Sequence, residues 1–304
     1  MQSLETAAKP STVLKQDLEE RLKKRGIPAA PSVLKSLLEE FEAPPESRNL
    51  DKIVNLVSCD AVLTARCLGL ANSPLFGLSR RIVNVRSAVV ALGAKRLKDL
   101  LISACLMQIN PKSAAGMTSL QIWEHAFASA LMARRLALEI EYPEPDKVYL
   151  SALLHDIGHL VNMLCFPKEF AEAVKIHEEK EIDLLDAEKQ VLGFTHCDSG
   201  FVLGDLWQLP EEAKDAIAHH HEQHPPEDRM LFLALIQMGD ALAQWYGFDD
   251  GNRAPDMPSL MASQNWRLLS DLAREATLDD VNLVSMFGDY ANEVKTMVSG
   301  LMHA

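Results

Sequence analysis

The stretch Ser151-Ala152-Leu153-Leu154-His155-Asp156-Ile157-Gly158-His159-Leu160 constrains the fold more than any other. It lies in a run, Lys147 to Cys165, whose apolar residues recur at helical spacing. Asp156 is flanked one turn away by Ala152, Leu153 and Leu160, which turns it towards the interior. A carboxylate is costly to bury unless it is paired or coordinates a cation. His155 beside it is a good ligand for a divalent metal. Two residues alone are equally a His-Asp pair at a helix surface. The rest of the chain has to supply matching groups.

That remainder reads as helices. Residues 1–26 are polar, with a weak stripe of Leu14, Leu18 and Leu22 that predicts a frayed or partner-dependent start. Ile27 to Ser32 is a stiff lead-in, and Ser32 can cap a helix over Val33–Phe41 that ends at Pro44-Pro45. Leu50 to Ala71 predicts two short helices broken near Ser58-Cys59-Asp60. Asn72 to Gly77 is a turn with apolar anchors. Val83 to Ile109 predicts two more helices hinged at Leu92-Gly93-Ala94, so that 27–110 forms a first lobe.

Asn110 to Gly116 is a linker. Thr118 with Gln121 then forms a capping box for a helix to about Ile140 that carries His125. Pro145 and Asp146 suit the first turn of the His-Asp helix. Helices follow at Lys168–Glu179 and Ile182–Leu192. Thr195 with Asp198 resembles another capping box, placing His196 in the first turn of the next helix. Pro210-Glu211-Glu212 starts a helix that ends at His219-His220-His221-Glu222. Glu227–Tyr246 is apolar apart from Gln237, Asp240 and Gln244, which share one face. Residues 118–246 thus make a helical core and 247–304 an extension with helices at Asn265–Ala276 and Leu278–Leu301. No strand signature or internal repeat stands out, and the expected class is an all-α, two-lobed helical bundle.

Charge and composition exclude several alternatives. The net charge of −13 divides unevenly: residues 1–110 hold 16 Lys/Arg against 11 Asp/Glu, and residues 111–304 hold 14 against 32. An acidic whole argues against non-specific nucleic-acid binding. Arg80, Arg81, Arg86, Lys95, Arg96 and Lys98 cluster in the basic half; such a run is usually a solvated helix face, and it could also meet an anion, a partner or the acidic half. No uninterrupted apolar run is read as membrane-spanning and no signal-peptide core is present, so no membrane partner and a cytoplasmic protein are expected. Five cysteines without CxxC spacing read as reduced, mostly buried thiols.

Four segments carry a resemblance: Ile27-Pro28-Ala29-Ala30-Pro31-Ser32, Cys59-Asp60-Ala61-Val62-Leu63-Thr64-Ala65-Arg66, Leu70-Ala71-Asn72-Ser73-Pro74-Leu75-Phe76-Gly77 and Ala91-Leu92-Gly93-Ala94-Lys95-Arg96-Leu97. Together they resemble the HDOD domain of bacterial signalling proteins, and the likeness continues to about residue 225. The inward-facing candidates, in chain order, are His125, His155, Asp156, His196, His220, His221 and Asp240. Their order is similar to the metal-binding pattern of HD-superfamily phosphohydrolases. That resemblance implies a first metal on His125, His155, Asp156 and Asp240, with Asp156 bridging to a second on His196, His220 and His221. Imidazole and carboxylate donors suit Fe, Mn, Zn or Ni, as one ion or two.

Two departures weigh against catalysis. Phosphodiesterases of the HD-GYP type have Gly-Tyr-Pro soon after the His-His-Glu, whereas Glu222 is followed by Gln223-His224-Pro225-Pro226. They also tend to carry Lys where this chain has His159, which removes a phosphate-contacting cation. His155-Asp156-Ile157-Gly158-His159 nearly matches the zinc-peptidase HExxH, but Asp is shorter than the required Glu and Gly158 disfavours a rigid helix. The expectation is a signal-transduction protein acting through protein or ligand contacts, a nucleotide among them. The alternative is a metal-dependent phosphohydrolase acting on a nucleotide or cyclic nucleotide.

Overall fold

The computed structural model describes residues 12–26, 32–42, 47–72, 80–107, 116–248 and 254–273, with positions 44, 78, 111, 113, 287–288, 290–292 and 294–295. Among the described residues there are fifteen α-helices and no β-strand. The chain divides into two compact units, one of residues 28–109 with 292–304, the other of residues 1–27 with 110–291. Helix α1 (Thr12–Arg25) belongs to the larger unit.

The smaller unit holds α2 (Ser32–Glu42), α3 (Leu50–Ser58), α4 (Ala61–Ala71) and α5 (Val85–Leu106). Asn49, Asp60 and Asn84 each accept a backbone N–H three residues on, which satisfies a donor that the first turn leaves unpaired. α3 and α4 diverge by 115° at the expected break. The hinge expected at 92–94 is present: Gly93 is non-helical (φ 74°, ψ 168°) and separates the two expected helical segments of α5. α5 packs across α2, α3 and α4, and Leu34, Leu37, Ile53, Leu63, Leu97 and Leu101 are fully buried. Asn72 closes the turn after α4: its Nδ2 donates to the carbonyls of Leu68 and Ile82, and its Oδ1 accepts the Ile82 N–H at 2.7 Å. The rest of that turn (73–77), the lead-in 27–31 and most of the linker 110–116 lie outside the described residues.

The larger unit continues with α6 (Ser119–Glu139), α7 (Pro145–Leu154), α8 (Ile157–Cys165), α9 (Pro167–Lys180), α10 (Leu184–Leu192), α11 (His196–Leu206), α12 (Glu211–His219), α13 (Glu227–Trp245), α14 (Met257–Ala262) and α15 (Gln264–Leu272). α6 packs against α13 and α7, α11 against α8 and α12, and α9 against α10. Both capping boxes form, Thr118 with Gln121 and Thr195 with Asp198. They set the phase of α6 and α11, and with it the direction in which His125 and His196 point.

Five differences from the sequence reading stand out. The start of the chain is not frayed among its described residues. Leu18 and Leu22 of α1 are fully buried, Arg21 and Arg25 lie 5.1 Å from the Phe166 ring centroid, and Lys15 pairs with Asp205. Each buried Leu contributes roughly 1.5–3 kcal/mol relative to exposure. Next, the run Lys147–Cys165 is not one helix but breaks at His155-Asp156, with Asp156 at φ −103°, ψ 14°. α14 forms in the stretch read as a loop, because Asp256 accepts the Ser259 N–H and Pro258 pre-sets the first turn. The helix expected at 265–276 is α15, which ends at Leu272, and the one expected at Leu278–Leu301 lies mostly outside the described residues. Finally, Pro145–Cys165 is long and apolar enough to cross a membrane by length and mean hydropathy (1.2), but 94% of it is buried in the protein, which accounts for its composition. The five cysteines are free and only Cys59 is exposed; burial pushes Cys67 and Cys105 up to about 12.

Candidate metal centre

Six helices of the larger unit bring the seven candidate residues together. His125 comes from the middle of α6, His155 closes α7, Asp156 opens α8, His196 is the first residue of α11, His220 and His221 follow α12, and Asp240 lies on α13. The break at 155–156 is what lets two consecutive side chains reach one point. On an unbroken helix neighbours point roughly 100° apart. Gly158 allows the close approach behind them: a Cβ there would stand 1.8 Å from the His196 carbonyl oxygen.

The Asp156 carboxylate sits at the centre. Its Oδ2 lies 3.3 Å from His155 Nε2 and 3.7 Å from His125 Nε2. Its Oδ1 faces His220 Nε2 at 3.1 Å, His196 Nε2 at 3.5 Å and His159 Nε2 at 3.9 Å, yet makes no well-formed hydrogen bond. Asp240 Oδ1 adds contacts of 3.2 Å to His125 Nε2 and 3.9 Å to His155 Nε2, and receives the Gln244 amide at 3.0 Å. Two ligand groups therefore meet at one carboxylate.

The imidazoles are oriented by their far sides. His155 Nδ1 donates to the Ala152 carbonyl (2.6 Å), His125 Nδ1 to Phe248 (3.2 Å), His220 Nδ1 to Ala216 and Ile217 (3.1 Å each) and His196 Nδ1 to Glu188 Oε2 (2.7 Å). With the proton on Nδ1, each ring turns an Nε2 lone pair inward. Lone pairs 3.4 Å apart (His125 and His155) or 3.3 Å apart (His196 and His220) cannot bond each other. Ser129 Oγ, 3.2 Å from His125 Nε2, relieves one of them. A shared cation relieves the rest, and outer partners of this kind are typical of metal-bound histidine. The donor set fits a divalent cation.

Electrostatics point the same way. Burial opposes the ionisation of Asp156, but the imidazoles crowded around it, His155 foremost, outweigh it and hold the carboxyl well below its usual range. Burial pushes His220 down to about 4 and, with the charge of its neighbours, lowers His221 as well, so both are neutral ligands at pH 7.

Three participants were not among the sequence candidates. Glu188 of α10 is fully buried and accepts both the backbone N–H and Nδ1 of His196 (2.7 Å each), with Asn162 at 3.0 Å and His159 Nδ1 at 3.3 Å. Burial opposes its ionisation, but the charge of His196 and the hydrogen bonds from His159 and His196 keep it below the carboxylate range. Its position four residues after Leu184 and four before Leu192, both buried, was a signal that it faces inward. His159 stacks on His196 with centroids 4.0 Å apart. The peptidase-like pattern ends there, since the helix breaks within it. Cys197, 4% exposed, brings Sγ to 3.6 Å from His196 Nε2. His219 faces Glu222 at 3.1 Å and takes no part in the ligand groups.

The basic cluster belongs to the smaller unit and is only partly gathered. Arg80, Arg81 and Arg86 line a surface groove of about 690 Å³ with Leu78, Ile82 and Val90, and Arg86 pairs with Asp51 at 2.5 Å. Arg96 and Lys98 do not line it, and the Lys95 side chain lies outside the described residues.

Comparison with known proteins adds a family and a fold. The HDOD domain family model matches residues 27–223. A Treponema pallidum (strain Nichols) protein is 28% identical over 214 residues, 69% of this chain; the chain spans only 40% of that relative's length. An HDOD domain protein of Geobacter sulfurreducens superposes with a TM-score of 0.76 at 24% identity, over 94% of this chain and 98% of that one. A protein of Shewanella amazonensis SB2B described as a candidate phosphohydrolase superposes with a TM-score of 0.72 at 22% identity, over 93% and 97%.

Proposed function

The chain belongs to the HDOD domain family, and from that premise we propose that it is a bacterial signal-transduction domain that works by binding, with divalent metal held at the His/Asp cluster as a structural or ligand-sensing centre. His125, His155, Asp156 and Asp240 would hold one cation, and His196, His220 and His221 a second that shares Asp156. The metal would neutralise the buried carboxylates and fix the helices that carry the rings.

The enclosure of the site carries this reading. His125, His155, Asp156, His159, Glu188, His196 and His220 are all 3% exposed or less; only His221 and Asp240 reach partway to the surface. At the position where related phosphodiesterases place a phosphate-contacting Lys, His159 is fully buried and faces Glu188. A substrate phosphate meets no cationic side chain there.

One observation favours the phosphohydrolase alternative: a carboxylate between two ligand groups is the arrangement that two-metal hydrolysis uses. The two readings part in a turnover assay. Phosphodiester, nucleotide and aryl-phosphate substrates are offered with Mn, Fe, Ni or Mg, and the expected result is no sustained turnover above background. Turnover that disappears in Asp156→Ala would establish the phosphohydrolase.

We assign partner contact to the groove of Arg80, Arg81 and Arg86, whose charge suits an acidic protein surface. A polyglutamate peptide should bind weakly and lose affinity with salt, and the double change Arg81→Glu, Arg86→Glu should abolish binding. Unchanged binding in that variant would return the three arginines to an ordinary solvated face.

A further inference from the structure

The second ligand group contains a residue that the His/Asp order does not mention. Resting on the reading of the cluster as a metal centre, we infer that Cys197 is a metal ligand, and that with His196, His220 and His221 it forms a closed, tetrahedral three-nitrogen, one-sulfur site of the zinc type.

The argument starts from distances. With Zn–N near 2.0–2.1 Å and Zn–S near 2.3 Å, a tetrahedron places its nitrogens roughly 3.3 Å apart and a nitrogen and sulfur roughly 3.6 Å apart. His196 Nε2 lies 3.1 Å from His221 Nε2, 3.3 Å from His220 Nε2 and 3.6 Å from Cys197 Sγ. All four ligand atoms lie within 4.8 Å of one another. The edges that meet at His196 therefore have the lengths such a site needs.

Chemistry agrees with the distances. His196 and His220 give their Nδ1 protons to Glu188 and to the carbonyls of Ala216 and Ile217, so their inner nitrogens are acceptors. Cys197 is buried beside them, its Sγ 3.6 Å from His196 Nε2. Binding replaces the thiol proton, which leaves to solvent, by a metal–sulfur bond. A thiolate selects zinc, cobalt or cadmium over magnesium and manganese. Four protein ligands also fill the sphere, as in structural zinc sites: Cys197 takes the place at the second cation that would otherwise fall to Asp156, and no place is left for the water that a catalytic zinc keeps. Binding without turnover follows from that.

Cobalt(II) makes the site visible. Metal-free protein is titrated with cobalt and followed in the visible, where the metal itself absorbs, and in the near ultraviolet, where thiolate-to-cobalt charge transfer appears. The wild type should develop both signals, and zinc should bleach both. Cys197→Ser should keep a weakened visible band and lose the near-ultraviolet one entirely, while Cys59→Ser, at the exposed thiol, keeps both. A wild type with visible bands alone overturns the inference and gives the fourth position to Asp156 Oδ1, 3.1 Å from His220 Nε2. A near-ultraviolet band that survives Cys197→Ser overturns it too. No band at all in the wild type removes the metal-centre reading itself, and the thiolate with it.

Discussion

Asp156→Ala should lower the metal stoichiometry, by loss of the cation held with His125, His155 and Asp240, and cut the thermal stabilisation that metal confers. The carboxylate faces both ligand groups and is the charge that offsets a buried cation. Metal at 100 times its dissociation constant should stabilise the wild type by about 2.7 kcal/mol. For a unit of some 200 residues that is a rise of roughly 5–10 °C in Tm. Asp156→Ala should show a smaller rise, and Asp156→Asn, which keeps the volume and loses the charge, should match it. His219→Ala should behave as wild type, since His219 faces Glu222 outside the ligand groups. Equilibrium dialysis with parallel melting curves decides the matter. If wild type binds no metal, the cluster is a hydrogen-bonded polar core; if Asp156→Ala retains as much metal as wild type, Asp156 is not a ligand.

Gly158→Ala should be strongly damaging, since no other glycine among those described would bring a Cβ so close to backbone. The new carbon would lie 1.8 Å from the His196 oxygen and 2.6 Å from its carbonyl carbon, both backbone atoms that cannot rotate away. α8 and α11 must part, and His196 leaves Asp156 and His220. Overpacking typically costs 1–3 kcal/mol, and a backbone clash belongs at or above the top of that range. A fall in Tm of roughly 6–12 °C is expected by the same conversion, together with loss of the cobalt signal. Gly288→Ala, where a Cβ would meet nothing within 4 Å, should melt like wild type. A wild-type melting curve for Gly158→Ala would show that α8 and α11 do not pack as tightly as described.

The all-helical fold and the convergence of the seven candidate residues were legible because their signals are local. Apolar periodicity gave the inner face of each helix, and the capping boxes at Thr118 and Thr195 fixed the phase of two of them. The break at His155-Asp156 was not legible, since the apolar pattern runs straight through it. What ends α7 is tertiary: two adjacent side chains drawn to one centre. Cys197 read as an ordinary buried thiol because its meaning lies in His220 and His221, more than twenty positions away. His159 was weighed as a missing lysine rather than as a partner of Glu188. Glu188 was within reach, on the buried stripe of its own helix, but an acidic residue in a charged amphipathic segment is usually assigned to the outer face.

The broken helix has one more consequence, through the dipoles of the elements that end there. α7 and α12 finish at His155 and His220, presenting the negative ends of their macrodipoles to imidazoles whose Nδ1–H groups donate to carbonyls of the last turn. α8 and α11 begin at Asp156 and His196, and their positive ends face the carboxylates of Asp156 and Glu188, the latter accepting the first N–H of α11. Each such alignment contributes about 0.3–1 kcal/mol, and up to about 2 where partly buried. Four helix termini thus sort the charges of the cluster before any cation arrives. On the proposed reading, that backbone field would help hold the bundle when the site is stripped, and metal loading would then be a reversible signal rather than a condition of folding.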